Sequence, residues 1–243
     1  MTDAVAVPVP KRPGPCIVAI EGPSGAGKTT LVREAARRFG WHRIAEAYDR
    51  LDRAPEIDFR SDRELRATER QLLTEERRRF REALRARASG RVVVADTGFL
   101  GPFTYTAGLV ARGEADRRVF VDLVRSGRSM GRSWGVPDAV VYLVPRAADR
   151  RRRAGRDPGR HPPGLDPRHA AVGRFERRIY RRWSEGPLEG RVEFLRADRT
   201  PGGLAGLLRG RLAALGSVPK RNPPSLASLL RSVDELRRDS ARR

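Results

Sequence analysis

Residues 22–29 read Gly22-Pro23-Ser24-Gly25-Ala26-Gly27-Lys28-Thr29, a spacing that satisfies G-x-x-x-x-G-K-[ST] in full. Glycines at this spacing let successive backbone N–H groups wrap a phosphate, and the helix that starts next adds the positive end of its dipole. A lysine at position 28 reaches the β- and γ-phosphates of a nucleotide, and the Thr29 hydroxyl ligates Mg²⁺. The candidate nucleotide-binding residues are Gly22, Ser24, Gly25, Ala26, Gly27, Lys28, Thr29 and Thr30. Composition singles out Lys28. Only Lys11, Lys28 and Lys220 are lysine in a chain of 51 basic residues, so arginine has not displaced lysine where a compact ammonium is needed.

Such a loop needs a carboxylate nearby to complete the Mg²⁺ shell. Asp96 directly follows the apolar run Val92-Val93-Val94-Ala95, and a carboxylate at the carboxyl end of a strand lies at the crevice where open α/β sheets bind ligands. Glu46, after the weak strand Arg43-Ile44-Ala45, faces the same crevice and could accept the proton of a substrate hydroxyl or hydrogen-bond it; Asp49 is a weaker alternative. Arg146, Arg150, Arg151, Arg152, Arg153, Arg156 and Arg160 then cluster ahead of a stretch broken by Pro158, Pro162 and Pro163. A short arginine helix running into a loop suits a lid that brings positive charge to a transferring phosphoryl group and excludes water. The other readings of this segment are a solvated basic helix and a nucleic-acid patch. His42, His161 and His169 have no metal-ligand spacing.

Three kinds of element must position these groups. Cys16-Ile17-Val18-Ala19-Ile20 predicts a buried strand before the loop, and Leu31, Val32, Ala35, Ala36 and Phe39 predict a helix after it, stopped at Gly40. Ser61 with Glu64 is a capping-box pattern opening a long helix with Leu65, Leu72, Leu73, Phe80 and Leu84 on one face. Residues 139–144 predict the clearest strand, residues 192–195 a last short one, and residues 204–215 a last core helix. Continuous apolar strands alternating with helices argue for an α/β fold, a mostly parallel sheet of about five strands covered on both faces. Phe99, Phe103 and Tyr105 beside Asp96 could pack in the core or stack on a ring, whereas Trp41, Trp134 and Trp183 read as core or loop anchors.

The expected organisation is a disordered leader over 1–15, a catalytic domain over 16–216 with its lid at about 146–170, and a basic tail over 217–243. The tail reads as loosely ordered, or as an amphipathic helix outside the core. The formal charge of +21 suits a polyanionic partner, nucleotide or nucleic acid, but many arginines alternate with acids, as in Glu75-Glu76-Arg77-Arg78-Arg79. A single cysteine excludes an intramolecular disulfide, and no run is long enough to span a membrane, so a cytoplasmic location is the expectation.

The arrangement resembles the P-loop nucleoside and nucleotide kinases, and thymidylate kinase in particular, over residues 16 to 215. The likeness rests on Ile20 through Leu31, on Asp96-Thr97-Gly98-Phe99 with Tyr105 beyond, and on Pro137 through Val144 followed by Arg150 and Arg153. It implies a P-loop three-layer sandwich in which Lys28, Thr29 and Asp96 organise Mg²⁺ and ATP. Arg150, Arg153 and Arg156 would clamp phosphates, and Glu46 or Asp96 would contact the acceptor. Two departures lie on the acceptor side. Thr97 stands where that family has an arginine for the acceptor's phosphate, and Glu46 is followed by Ala47 instead of proline. The expected activity is transfer of the γ-phosphoryl group of ATP to a nucleotide-like or nucleoside-like acceptor, with a homodimer left open. The alternatives are a kinase of an antibiotic or of a polynucleotide 5′ hydroxyl, and a non-catalytic nucleotide-dependent switch.

Overall fold

Five apolar runs form five strands: β1 (Ile17–Glu21), β2 (His42–Ile44), β3 (Val93–Asp96), β4 (Ala139–Val144) and β5 (Val192–Arg196). In this computed structural model, which describes residues 13–51, 61–131, 134–149, 167–215 and 224–241, they make one sheet in the order β2-β3-β1-β4-β5. Every pairing is parallel, as the continuous apolar strands predict. The connecting helices are α1 (Lys28–Phe39), α2 (Asp62–Ala88), α3 (Gly101–Ala111), α4 (Arg117–Arg128), α5 (Pro167–Ser184) and α6 (Pro201–Leu215), followed by α7 (Leu226–Ala241).

Successive side chains of a strand point to opposite faces, so each central strand feeds two cores. Val18 and Ile20 of β1, with Val94, Val141 and Leu143, pack under Leu31, Val32 and Ala35 of α1 and Leu204, Leu208 and Leu212 of α6. Ile17 and Ala19, with Val93, Ala95, Val140 and Tyr142, face the thicker layer of α2, α3 and α5. Each fully buried aliphatic side chain contributes about 1.5–3 kcal/mol, which favours covering both faces. Asp138 ties the layers at the lower end of the sheet: it accepts the Ile17 N–H at 2.8 Å and pairs with Arg87 of α2 at 3.0 Å.

The capping pattern at Ser61 forms as read, with the hydroxyl accepting the Glu64 N–H at 3.3 Å. Trp41, Trp134 and Trp183 are all buried, and so are Phe99 and Phe103, which pack edge-on against Phe80 and Trp134 and present no free face to a ligand ring. Burial pushes the Cys16 thiol up to about 12, in keeping with a small core residue.

The C-terminal segment departs from expectation. Residues 226–241 form α7, and Leu226, Leu229, Leu230, Val233 and Leu236 join the same core as Phe103 and Trp183. The Trp183 indole N–H donates to the Ser232 hydroxyl at 2.8 Å, and Arg182 pairs with Glu235 at 2.7 Å. The spacing of those apolar residues gives one helical stripe, and the stripe is buried against α3, α4 and α5 rather than left outside the core.

Candidate functional site

The loop after β1 turns back over the sheet because nothing but glycine fits at its start. A Cβ at Gly22 would lie 2.7 Å from the Leu143 carbonyl oxygen of β4, and its φ of 136° is one that L side chains rarely adopt. Gly27, at φ 92°, caps α1 without any side-chain hydrogen bond, so the first N–H groups of the helix are left for another acceptor. The Lys28 ammonium folds over the loop and donates to the Gly22 carbonyl at 3.0 Å and the Pro23 carbonyl at 3.5 Å. Thr29 and Thr30 follow in the first turn of α1.

Beside the loop, β3 pairs with β1 in a register that sets Asp96 against Ile20, and the Thr97 N–H donates to the Ile20 carbonyl at 3.1 Å. Asp96 is fully buried, and neither of its carboxylate oxygens has a hydrogen-bond partner among the described residues. A buried carboxylate without a partner is costly, typically several kcal/mol for a charge, so its position calls for a cation.

The turn after Asp96 is braced from α2. The Arg79 guanidinium, fully buried, donates to the Asp96 carbonyl at 2.7 Å and the Thr97 carbonyl at 3.2 Å, and it forms an ion pair with Glu76 one turn away. It also lies over the Phe99 ring, 5.3 Å from the centroid. Thr97 is held at φ 65°, where a β-branched residue is strained. The next residue, Gly98, donates its N–H to Glu21 Oε1 at 2.7 Å, and a Cβ there would sit 2.2 Å from that oxygen. The Tyr180 hydroxyl of α5 donates to the same oxygen at 2.5 Å.

Glu21 is the first of a group of carboxylates. Burial raises its pKa against the opposing pull of Tyr180 and Lys28. Glu176 of α5 takes the Thr104 hydroxyl at 3.2 Å; burial, with the charge of Glu21, pushes it up to about 7. Glu76 is likewise pushed up to about 7 by burial, which outweighs its Arg79 partner, while Glu21 and Glu46 act on it in the same upward direction. Glu69 lies one turn before Leu72 and Leu73 on the buried face of α2. Burial, then the charges of Glu76 and Glu176, raise it well above the usual carboxylate range. Glu46 and Glu69 also act on Tyr48, in the 3₁₀ turn Tyr48–Arg50 after β2, whose phenol burial raises.

The structure thus brings Lys28, Thr29, Asp96 and Glu46 to the carboxyl ends of three adjacent strands, β1, β3 and β2. Arg150, Arg153 and Arg156 lie outside the described residues, as does most of the expected lid; Arg146 points elsewhere, 3.8 Å from Asp198. Asp49 is exposed. Sequence reasoning missed Glu21, Glu69, Glu76, Arg79, Glu176 and Tyr180. A signal for two of them was present, because Glu69 and Glu76 fall at helical spacing between Leu65, Leu72 and Phe80, at core positions of a helix whose other charges mostly face solvent. A separate surface cavity of about 380 Å³, lined by Leu195, Asp198, Leu207 and Arg211, lies at β5 and α6, on the edge of the sheet away from β3.

A family model described as "AAA domain" matches residues 17–151. No curated protein matches the sequence. Among solved structures, a deoxyadenosine kinase from M. mycoides with bound dATP superposes with a TM-score of 0.64 at 13% identity, covering 81% of this chain and 98% of that one. Thymidylate kinase from Candida albicans superposes with a TM-score of 0.60 at 14% identity, covering 82% of this chain and 91% of that one. With its matched region running from β1 past β4 and its five-stranded parallel sheet, the chain belongs to the AAA domain family and has the fold of the P-loop nucleoside and nucleotide kinases.

Proposed function

We propose that this protein is a phosphotransferase that moves the γ-phosphoryl group of ATP to a hydroxyl of a small-molecule acceptor. The observation that carries this reading is Asp96: fully buried, both oxygens unpartnered among the described residues, and set one strand away from the glycine loop. A hard cation fits that place, since Mg²⁺ is held through one or two carboxylates together with substrate phosphates. When bound, Mg²⁺ would offset the charge of the phosphates. Thr29 and Asp96 are the residues that would hold it.

The protein's own part is alignment and electrostatics. The N–H groups of the loop and of the uncapped start of α1 bind the phosphates of ATP, with Gly22, Ser24, Gly25, Ala26, Gly27 and Thr30 shaping the cradle and Lys28 contributing its charge. Glu46, or failing it Asp96, takes the proton of the acceptor hydroxyl. Arg150, Arg153 and Arg156 are proposed to clamp the transferring phosphoryl group from the lid. The likeness to a deoxyadenosine kinase and a thymidylate kinase supports phosphotransfer to a small molecule, and among the described residues no helix is long and apolar enough to cross a membrane.

The test is ADP formation by purified protein with Mg²⁺ and ATP against nucleosides, nucleoside monophosphates, cationic alcohols and a single-stranded oligonucleotide. Stimulation by one small acceptor is the expected result. ATP binding with no stimulation by any acceptor would favour a nucleotide-dependent switch.

A further inference from the structure

We propose that the acceptor is a cationic alcohol, carrying an amine or guanidine group, held where Glu21, Glu46, Glu69, Glu76 and Glu176 converge. The inference rests on the phosphotransfer reading and names its acceptor class. The five carboxylates come from four separate elements: the end of β1, the segment after β2, α2 and α5. They act on one another in a continuous set, Glu69 with Glu76 and Glu176, Glu76 with Glu21 and Glu46, and Glu176 with Glu21.

Lys28 and Arg79 act on Glu21, Glu76 and Glu176, and both are committed. Lys28 bonds the loop carbonyls and is needed by the phosphates of ATP. Arg79 is spent on Glu76 and on the carbonyls of Asp96 and Thr97. Glu69 is the independent sign that something else belongs here. It is 1% exposed, its Oε2 has no hydrogen-bond partner among the described residues, and the charges acting on it are Glu76 and Glu176, so its carboxyl faces into the cluster. A buried polar atom without a partner points to a missing donor. A protonated amine or a guanidinium supplies several donors and a positive charge together.

An anionic acceptor meets the opposite situation. Its phosphate would oppose the ionisation of these carboxyls, which a cation would favour, and position 97, next to Asp96, carries threonine and no positive charge. The same opposition argues against a polynucleotide 5′ end, despite the overall charge of +21.

In the reaction, the acceptor's hydroxyl oxygen forms a bond to the γ-phosphorus as the bond from that phosphorus to the β–γ bridging oxygen breaks. The electron pair of the broken bond leaves with ADP, and the hydroxyl proton passes to the Glu46 carboxylate and then to solvent.

The experiment uses the full chain with Mg²⁺ and the non-hydrolysable analogue AMP-PNP, titrated by calorimetry with four probes: neamine (amines), streptomycin (guanidines), deoxyadenosine (neutral) and dTMP (anionic). At least one cationic probe is expected to bind about tenfold or more tighter than either nucleoside probe, and Glu69→Gln to weaken that probe about tenfold with AMP-PNP affinity unchanged. If thermal melting shows that Glu69→Gln does not fold, Glu176→Gln takes its place. Tighter binding of deoxyadenosine or dTMP, failure of both cationic probes to bind, or full affinity for them in the folded variant would overturn the acceptor assignment alone. Failure of the wild-type chain to bind AMP-PNP would overturn the phosphotransfer reading, and the acceptor assignment with it.

Discussion

The glycine loop and the carboxylate cluster lie side by side at the ends of β1 and β3, yet they are built in opposite ways. The loop presents backbone: N–H groups left over at the start of α1, a Gly22 pressed against the Leu143 carbonyl, and one ammonium folded over the top. The cluster presents side chains from segments more than a hundred residues apart, from Glu21 to Glu176. A backbone site is tied to one stretch of sequence and tolerates drift around it. A group of acids drawn from several elements depends on those elements packing in register.

Lys28→Ala is the largest way to break the comparison. It should lower turnover by a factor of about a thousand or more, on the order of 4 kcal/mol of transition-state stabilisation, with the thermal melt unchanged. Steady-state ADP formation beside a melting curve reads both; wild-type turnover would remove the loop from the mechanism.

Asp96→Asn comes next. A loss of about a hundredfold in kcat is expected, partly recovered at high Mg²⁺, since an amide still offers one oxygen ligand. A magnesium titration with unaltered kinetics would detach Asp96 from the metal.

The cluster should announce itself through pH. Glu76 and Glu176 have pKa values of about 7 in the folded chain, against 4.5 for the ordinary carboxyl, so the folded state keeps protons that the unfolded state has released. Their contribution is fully present below about pH 4.5 and is lost as pH rises through about 7, so stability falls across that window. For Glu76, which is 4% exposed, the loss is on the order of 3 kcal/mol. Urea unfolding at pH 6 and at pH 8 should show the lower midpoint at pH 8, and Glu176→Gln should flatten the slope. A midpoint that rises with pH would mean the acids are ionised and already compensated.

The smallest effect concerns the turn that joins the two regions. Thr97→Gly removes a β-branched side chain from φ 65° but adds backbone freedom to the unfolded chain, so a net gain of about 0.5 kcal/mol is expected. Equal or lower stability by urea unfolding would show that the Thr97 side chain makes up for its own strain.

Much of the glycine loop was legible beforehand. The strand, the glycine spacing, Lys28 and the helix form a contiguous string whose physics is local, and the caps at Ser61 and Gly40 are legible for the same reason. The carboxylate cluster was not. Glu69 and Glu76 sit in a run of charges that reads as a solvated helix face, and only their phase relative to Leu65, Leu72 and Phe80 marks them as buried. Glu176 and Tyr180 carry no local signal, because what gives them meaning is Thr104 and Glu21 on other elements.

The C-terminal helix draws the same line. Its stripe of Leu226, Leu229, Leu230, Val233 and Leu236 was in the sequence, but an amphipathic stripe says only that one face seeks cover and not which surface provides it. The sequence by itself determined the parallel α/β class, the glycine loop and the carboxylate after β3, because these follow from hydrophobic period and from backbone needs confined to a few neighbouring residues. The tertiary structure alone decided that acids from β1, α2 and α5 act on one another beside Lys28 and Arg79 and that the last helix closes the core. Long-range packing sets which buried charges meet and which are left without a partner.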